Sequence, residues 1–107
     1  MEEETRYFPA LEDIQKATSV IKEVSMVTPL MNSLRYSTKY KADILLKRED
    51  LQRVRSFKIR GAFNKISSLS KKELAKGVVC VIAGNHAQGV AFACQQLGID
   101  GSFSFTC

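Results

Sequence analysis

An amine, an amide and an imidazole stand in two short stretches of this chain. Lys58 lies in Ser56-Phe57-Lys58-Ile59-Arg60-Gly61-Ala62, and Asn85 and His86 lie in Ala83-Gly84-Asn85-His86-Ala87-Gln88-Gly89. A lysine that has lost its proton can attack an aldehyde. A covalent aldehyde cofactor needs such an amine, and a second loop to hold its oxygens and the carboxylate of a substrate. Lysine is ordinarily an ammonium at neutral pH, with a pKa near ~10.4, so a nucleophilic lysine must sit where charge is disfavoured. A helix start, the apolar ring of Phe57 and the cation of Arg60 would each act in that direction. Spacing alone does not raise Lys58 above Lys47 or Lys65, because a lysine at a helix start is most often a solvated side chain.

The Gly84-Asn85 turn carries more information. A strand end that feeds a helix start presents free backbone N–H groups to an anion, and Gly84 lets other groups approach the backbone closely. Asn85 can donate from its amide to a phenolate oxygen; equally, it can cap the helix that follows. His86, the single histidine, has the ordinary pKa of an acid or base near ~6.5, but beside a helix start it reads as polar surface.

These residues need elements to hold them. Leu11, Ile14, Ala17, Ile21 and Val24 fall near helical spacing, predicting an amphipathic helix over 11–24 that Thr28-Pro29 stops. Ile44-Leu45-Leu46 suits a buried strand followed by the polar loop Lys47-Arg48-Glu49-Asp50. Ile59, Ala62, Phe63, Ile66 and Leu69 line one face of a helix with Ser56 as its N-cap, which puts Lys58 in the first turn. Ser70-Lys71-Lys72-Glu73 has capping-box spacing for a short helix ending near Gly77. Val78-Val79-Cys80-Val81-Ile82 is an unbroken apolar run, the pattern of a strand covered on both faces in a parallel sheet. A helix carrying Ala87, Val90, Ala91, Cys94 and Leu97 then stops at Gly98, and Ser102-Phe103-Ser104-Phe105 alternates like a half-buried strand. Strand, helix and strand make a βαβ unit, so the fold class is α/β with a mostly parallel sheet.

Composition narrows the classes. With 107 residues, 45% of them hydrophobic and 25% charged, the chain is globular, and one compact domain is expected. No run approaches the roughly 20 apolar residues of a membrane span, and Met1-Glu2-Glu3-Glu4 is unlike a secretory signal. A cytoplasmic protein without a membrane partner is expected. The net charge of +5 reads as a solvated basic surface or an anionic small-molecule site. It does not suggest nucleic acid, since no aromatic-interleaved basic motif accompanies it. Cys80, Cys94 and Cys107 show no C-x-x-C spacing and, with one histidine, are poor material for a metal site. Cys80 and Cys94 fall on apolar faces and read as packing residues.

Three ordered motifs resemble one family. Lys47-Arg48-Glu49-Asp50-Leu51-Gln52, Val54-Arg55-Ser56-Phe57-Lys58-Ile59-Arg60-Gly61-Ala62 and Ala83-Gly84-Asn85-His86-Ala87-Gln88-Gly89-Val90-Ala91, with Thr28-Pro29-Leu30 before them, are similar to threonine dehydratase (threonine ammonia-lyase). Arg55 before Ser56 resembles the biosynthetic members that start isoleucine synthesis, not those with glycine there. The resemblance implies fold type II of the pyridoxal-phosphate enzymes, the tryptophan synthase β-like fold. It implies that Lys58 carries pyridoxal 5'-phosphate as a Schiff base and removes the substrate Cα proton. By the same resemblance Phe57 packs near the cofactor ring and Asn85 bonds its phenolic oxygen. The turn of Ala83, Gly84, Asn85 and His86 holds the substrate carboxylate. The implied reaction converts L-threonine, with L-serine as a second substrate, to a 2-oxo acid (2-oxobutanoate from threonine) and ammonia, and a homo-oligomer is compatible with it. Serine racemases are similar but place a serine where this chain has Ala83, which favours dehydration over racemisation.

Two departures accompany the resemblance. Ile82 stands where the family turn has serine, removing a hydroxyl beside the carboxylate position. The chain also stops at Cys107, before the family's glycine-rich phosphate loop and the residue that pairs with the pyridine nitrogen. Residues 1–107 are therefore expected to be the N-terminal part of a dehydratase domain, an incomplete fold that is inactive alone. The rival expectation is a catalytically dead α/β fragment serving as a binding or assembly module.

Overall fold

The computed structural model describes residues 7–81 and 84–104. In chain order the elements are α1 (Leu11–Ile21), β1 (Leu30–Asn32), α2 (Leu34–Tyr40), β2 (Leu45–Lys47), a single 3₁₀ turn (Glu49–Leu51), α3 (Lys58–Ser67), α4 (Lys71–Leu74), β3 (Val78–Val81), α5 (Asn85–Leu97) and β4 (Gly101–Ser104). Among the described residues the strands form two pairs. β1 and β2 are antiparallel, with Met31 opposite Leu46. β3 and β4 are parallel, with Cys80 opposite Phe103, and α5 is the crossover between them. The βαβ unit is thus present as expected.

The core lies where α3 crosses α5. Ala62, Phe63 and Ile66 of α3 meet Val90, Ala93 and Cys94 of α5, with Ile21 and Val24 closing one end and Cys80 lying beneath from β3. Both cysteines are buried packing residues, and burial pushes the Cys94 thiol up. The apolar positions of α3 recur at helical spacing and are buried, so its face follows directly from the sequence. On α5 the buried set is Gly89, Val90, Ala93 and Cys94; Ala91 is exposed, which turns the helix slightly from the face its apolar residues suggest.

Caps explain several boundaries. Ser70 and Glu73 form the reciprocal capping box, with Ser70 N–H donating to Glu73 Oε2 at 2.8 Å and Glu73 N–H to Ser70 Oγ at 3.2 Å. Gly98 ends α5 in the left-handed region at φ 65°, donating its N–H toward the Cys94 and Gln95 carbonyls.

Other expectations need correction. α1 ends at Ile21, well before Thr28-Pro29, in a turn where Val24 and Ser25 N–H groups both donate to the Ile21 carbonyl. Ser56 is not the N-cap of α3: Phe57 occupies that position, and Ser56 Oγ accepts from Lys58 N–H at 3.4 Å. β2 is not buried, because its antiparallel pair with β1 has no described layer over it; Leu45 and Leu46 are exposed. β3 is covered on one face only. Cys80 points into the core, while Val79 and Val81 remain 72% and 61% exposed, since α5 packs on one side and no described element packs on the other. α2 was not foreseen: Ser33 Oγ accepts from Tyr36 N–H, and Lys41 ends the helix in the left-handed region. No described helix is long and apolar enough to cross a membrane.

Candidate active site

Lys58 is the first residue of α3 and is half-buried. Its backbone is seated against α5. A methyl group at Gly89 would lie 3.0 Å from the Lys58 carbonyl oxygen and 3.1 Å from its carbon, so only a glycine lets the helices come this near without displacement. Gly89 follows Asn85 by one helical turn, on the same side of α5 and about 6 Å along its axis. The packing of α3 on α5 therefore seats the Lys58 backbone one helical turn along α5 from Asn85, although the two are far apart in sequence.

At that turn Gly84 is the N-cap, with φ 86° and open space around the position a side chain would take. The Gly84 carbonyl accepts from Gln88 N–H. The preceding N–H groups of Asn85, His86 and Ala87 have no intrahelical partner by the geometry of a helix start, and among the described residues none is supplied by a side-chain cap. Asn85 is the first helical residue and not the cap, so its amide is not used as the sequence alone also allowed. This end of α5 suits an anion, and the open space at Gly84 admits one close to the backbone.

Phe57 is 59% exposed, and the Lys58 Nζ lies 5.1 Å from its ring centroid. The ring face attracts a cation. Arg60 is engaged elsewhere. Arg60 Nε donates to Glu49 Oε2 at 2.7 Å and Nη2 donates to Oε1 at 3.0 Å, a two-pronged ion pair.

That pair is the centre of a network which the sequence reading treated as a polar loop. Glu49 also accepts from Thr28 Oγ1 at 2.6 Å and, at longer range, from Gln52 Nε2. The Arg60 guanidinium holds the Glu49 carboxyl at about 2; burial opposes this, and the Thr28 and Gln52 bonds add to it. Gln52 is fully buried. Its side chain closes a ring with the backbone of Met26, accepting from Met26 N–H and donating to Met26 O, both at 2.8 Å. Lys47 Nζ donates to the Thr28 carbonyl, and Arg48 N–H donates to that of Pro29. The Lys47–Gln52 motif thus ties the Thr28-Pro29-Leu30 segment to the helix that begins at Lys58. No local pattern in the sequence signals the network, because Glu49 and Arg60 stand on different elements.

The hollows around these residues are not yet one site. Phe57, Glu49 and Arg60 line a cleft of about 480 Å³ with Met26 and Lys47. His86 lines a second, with Lys65, Val79 and Val81, and Gly84 a third, with Phe103. The Lys58 backbone contacts α5 at Gly89, one turn from Asn85, while Phe57 and His86 face different hollows. Ile82 and Ala83, including the expected substrate contact at Ala83, lie outside the described residues.

Comparison with known proteins adds a family. The model described as "Pyridoxal-phosphate dependent enzyme" matches residues 21–102. The chain is 55% identical over 91 residues to the biosynthetic L-threonine dehydratase of Halalkalibacterium halodurans, covering 85% of this chain and 22% of that protein. For the Bacillus subtilis biosynthetic L-threonine dehydratase the identity is 56% over 88 residues, covering 82% and 21%. Among solved structures, the processed form of threonine deaminase isoform 2 from Solanum lycopersicum superposes with a TM-score of 0.72 at 38% identity, covering 91% of this chain and 28% of that one. Maize serine racemase gives 0.82 at 34% identity, covering 91% and 30%. The chain spans about a fifth of the length of the curated relatives it matches.

Proposed function

Since the chain belongs to the pyridoxal-phosphate-dependent enzyme family, we propose that residues 1–107 are the lysine-bearing N-terminal part of a biosynthetic threonine dehydratase domain. The activity is elimination of the β-hydroxyl of L-threonine as water, followed by hydrolysis of the resulting enamine, which takes one water back up and releases ammonia, so that the net products are 2-oxobutanoate and ammonia; L-serine is a second substrate. One observation supports the reading: the Lys58 backbone is seated closely on Gly89, one helical turn from the open N-terminus of α5. The residues fit pyridoxal phosphate in kind, with an amine at a helix start, an exposed aromatic ring next to it, and an uncapped helix end one turn from the contact.

When bound, pyridoxal phosphate supplies an electron sink that acidifies the substrate Cα–H bond. Lys58 Nζ would hold the cofactor covalently, and the same amine would be the base for the substrate Cα proton. Phe57 gives an apolar surface beside the ring, and Asn85 donates from its amide to the phenolic oxygen. The turn at Ala83, Gly84, Asn85 and His86 holds the substrate carboxylate through its backbone N–H groups. Glu49 keeps Arg60 occupied, and through it fixes the helix from which Lys58 projects.

A second reading has support in the exposed apolar face of β3, where Val79 and Val81 stand clear of the core: a fragment without catalysis that acts by association. Titration with pyridoxal 5'-phosphate separates the two. The dehydratase reading expects a visible absorbance band that Lys58→Ala removes and L-threonine changes. A chain with no band, or one that Lys58→Ala leaves in place, contradicts it.

A further inference from the structure

Gly89 is the third glycine met by the two helices at the site, and it is unlike the others. It is buried in the middle of α5. It does not adopt the left-handed backbone of Gly77, Gly84 and Gly98, so conformational freedom does not explain it. A glycine inside a helix costs about 1 kcal/mol relative to alanine. What the position requires is space. A Cβ there would meet the Lys58 carbonyl oxygen at 3.0 Å, the Lys58 carbonyl carbon at 3.1 Å and the Ala62 Cβ at 3.4 Å. At Gly61, on α3, a Cβ would meet nothing within 4 Å.

The atoms crowded at Gly89 are the backbone of Lys58, which cannot rotate out of the way as the end of a long side chain can. We propose that Gly89 is a positioning residue that sets the separation between Lys58 and Asn85, so that the amine and the amide reach the same cofactor ring. This rests on the function proposed above. A methyl group would move the start of α3 from α5 by a few tenths of an ångström, carrying Lys58 with it, while Asn85 stays with α5. The third neighbour, the Ala62 Cβ at 3.4 Å, is at ordinary contact distance and stays in place, and the gain in helix propensity offsets part of the lost contact.

The test uses the full chain, with pyridoxal 5'-phosphate as probe, borohydride to fix the adduct and peptide mapping to locate it. The expected result for Gly89→Ala is a helical signal and thermal midpoint close to those of the wild type, with label at Lys58 reduced roughly tenfold relative to Lys65. That figure scales from the roughly 100-fold cost of a 1 Å misplacement. Gly61→Ala, where space is open, should label as the wild type does. The redistribution of label at unchanged stability is what a merely structural glycine would not produce. Wild-type labelling in a folded Gly89→Ala overturns the inference, as does loss of the folded signal in that variant or equal loss of label in Gly61→Ala. A wild-type chain with no preference for Lys58 overturns the functional reading itself, and with it this inference.

Discussion

Replacing Glu49 by Gln keeps the shape of the side chain and removes its charge, which isolates the ion pair that fixes the start of α3. The carboxyl sits at about 2 in the folded chain against an ordinary 4.5, chiefly because Arg60 donates two hydrogen bonds to it. That separation corresponds to about 3 kcal/mol at neutral pH. Arg60 is 35% exposed, so solvent screening lowers the expected contribution to about 2 kcal/mol. Because the folded value lies below the unfolded one, this stabilisation is complete above pH 4.5 and is lost as pH falls through about 2. Urea unfolding followed by far-ultraviolet circular dichroism should show Glu49→Gln less stable by about 2 kcal/mol at pH 7. The gap between variant and wild type should close between pH 4.5 and 2, while other carboxylates, Asp13, Asp50 and Glu73 among them, titrate alike in both proteins. Equal urea midpoints at pH 7, or a gap that persists at pH 2, would refute the reasoning.

Two further substitutions test the surroundings of the site. Gln52→Ala leaves the Met26 N–H and carbonyl without their buried partner, and should cost roughly 2 to 4 kcal/mol in the same unfolding assay; a loss under half of that would show water replacing the amide. Arg55→Gly should stabilise the chain by up to about 1 kcal/mol, because Arg55 holds φ 61° where glycine is unstrained, and a lower thermal midpoint would show that the arginine side chain outweighs that strain.

The Arg55 N–H donates to the Gln52 carbonyl at 2.8 Å in a left-handed turn, a backbone conformation that the residue pattern around it did not signal. Helix α3 was legible because its apolar positions recur at helical spacing: Ile59, Ala62, Phe63 and Ile66 are buried as that period requires, whereas α2, with no buried residue, carries no such signal. The capping box at Ser70 and the stop at Gly98 were legible because each depends on residues adjacent in sequence. What depends on distant partners was not. An apolar run cannot say how many layers will cover it, so β3 and β2 were read as buried although Val79, Val81, Leu45 and Leu46 face outward. The Glu49–Arg60 pair was missed for the same reason, since two charged residues on different elements give no periodic signal. Lys58 was placed in the first turn of α3, but its contact with Gly89 follows only from the crossing of two helices, which no local pattern encodes.

The account turns on whether Lys58 is the amine that takes pyridoxal phosphate. Incubating the chain with pyridoxal 5'-phosphate, fixing the product with borohydride and mapping the labelled peptides by mass spectrometry measures this directly. The account predicts that the label concentrates on the peptide containing Lys58 and disappears from it in Lys58→Ala without rising elsewhere. Label spread evenly over Lys47, Lys65 and Lys71 would mean random modification of surface amines, and would contradict the assignment of this helix start as an active site.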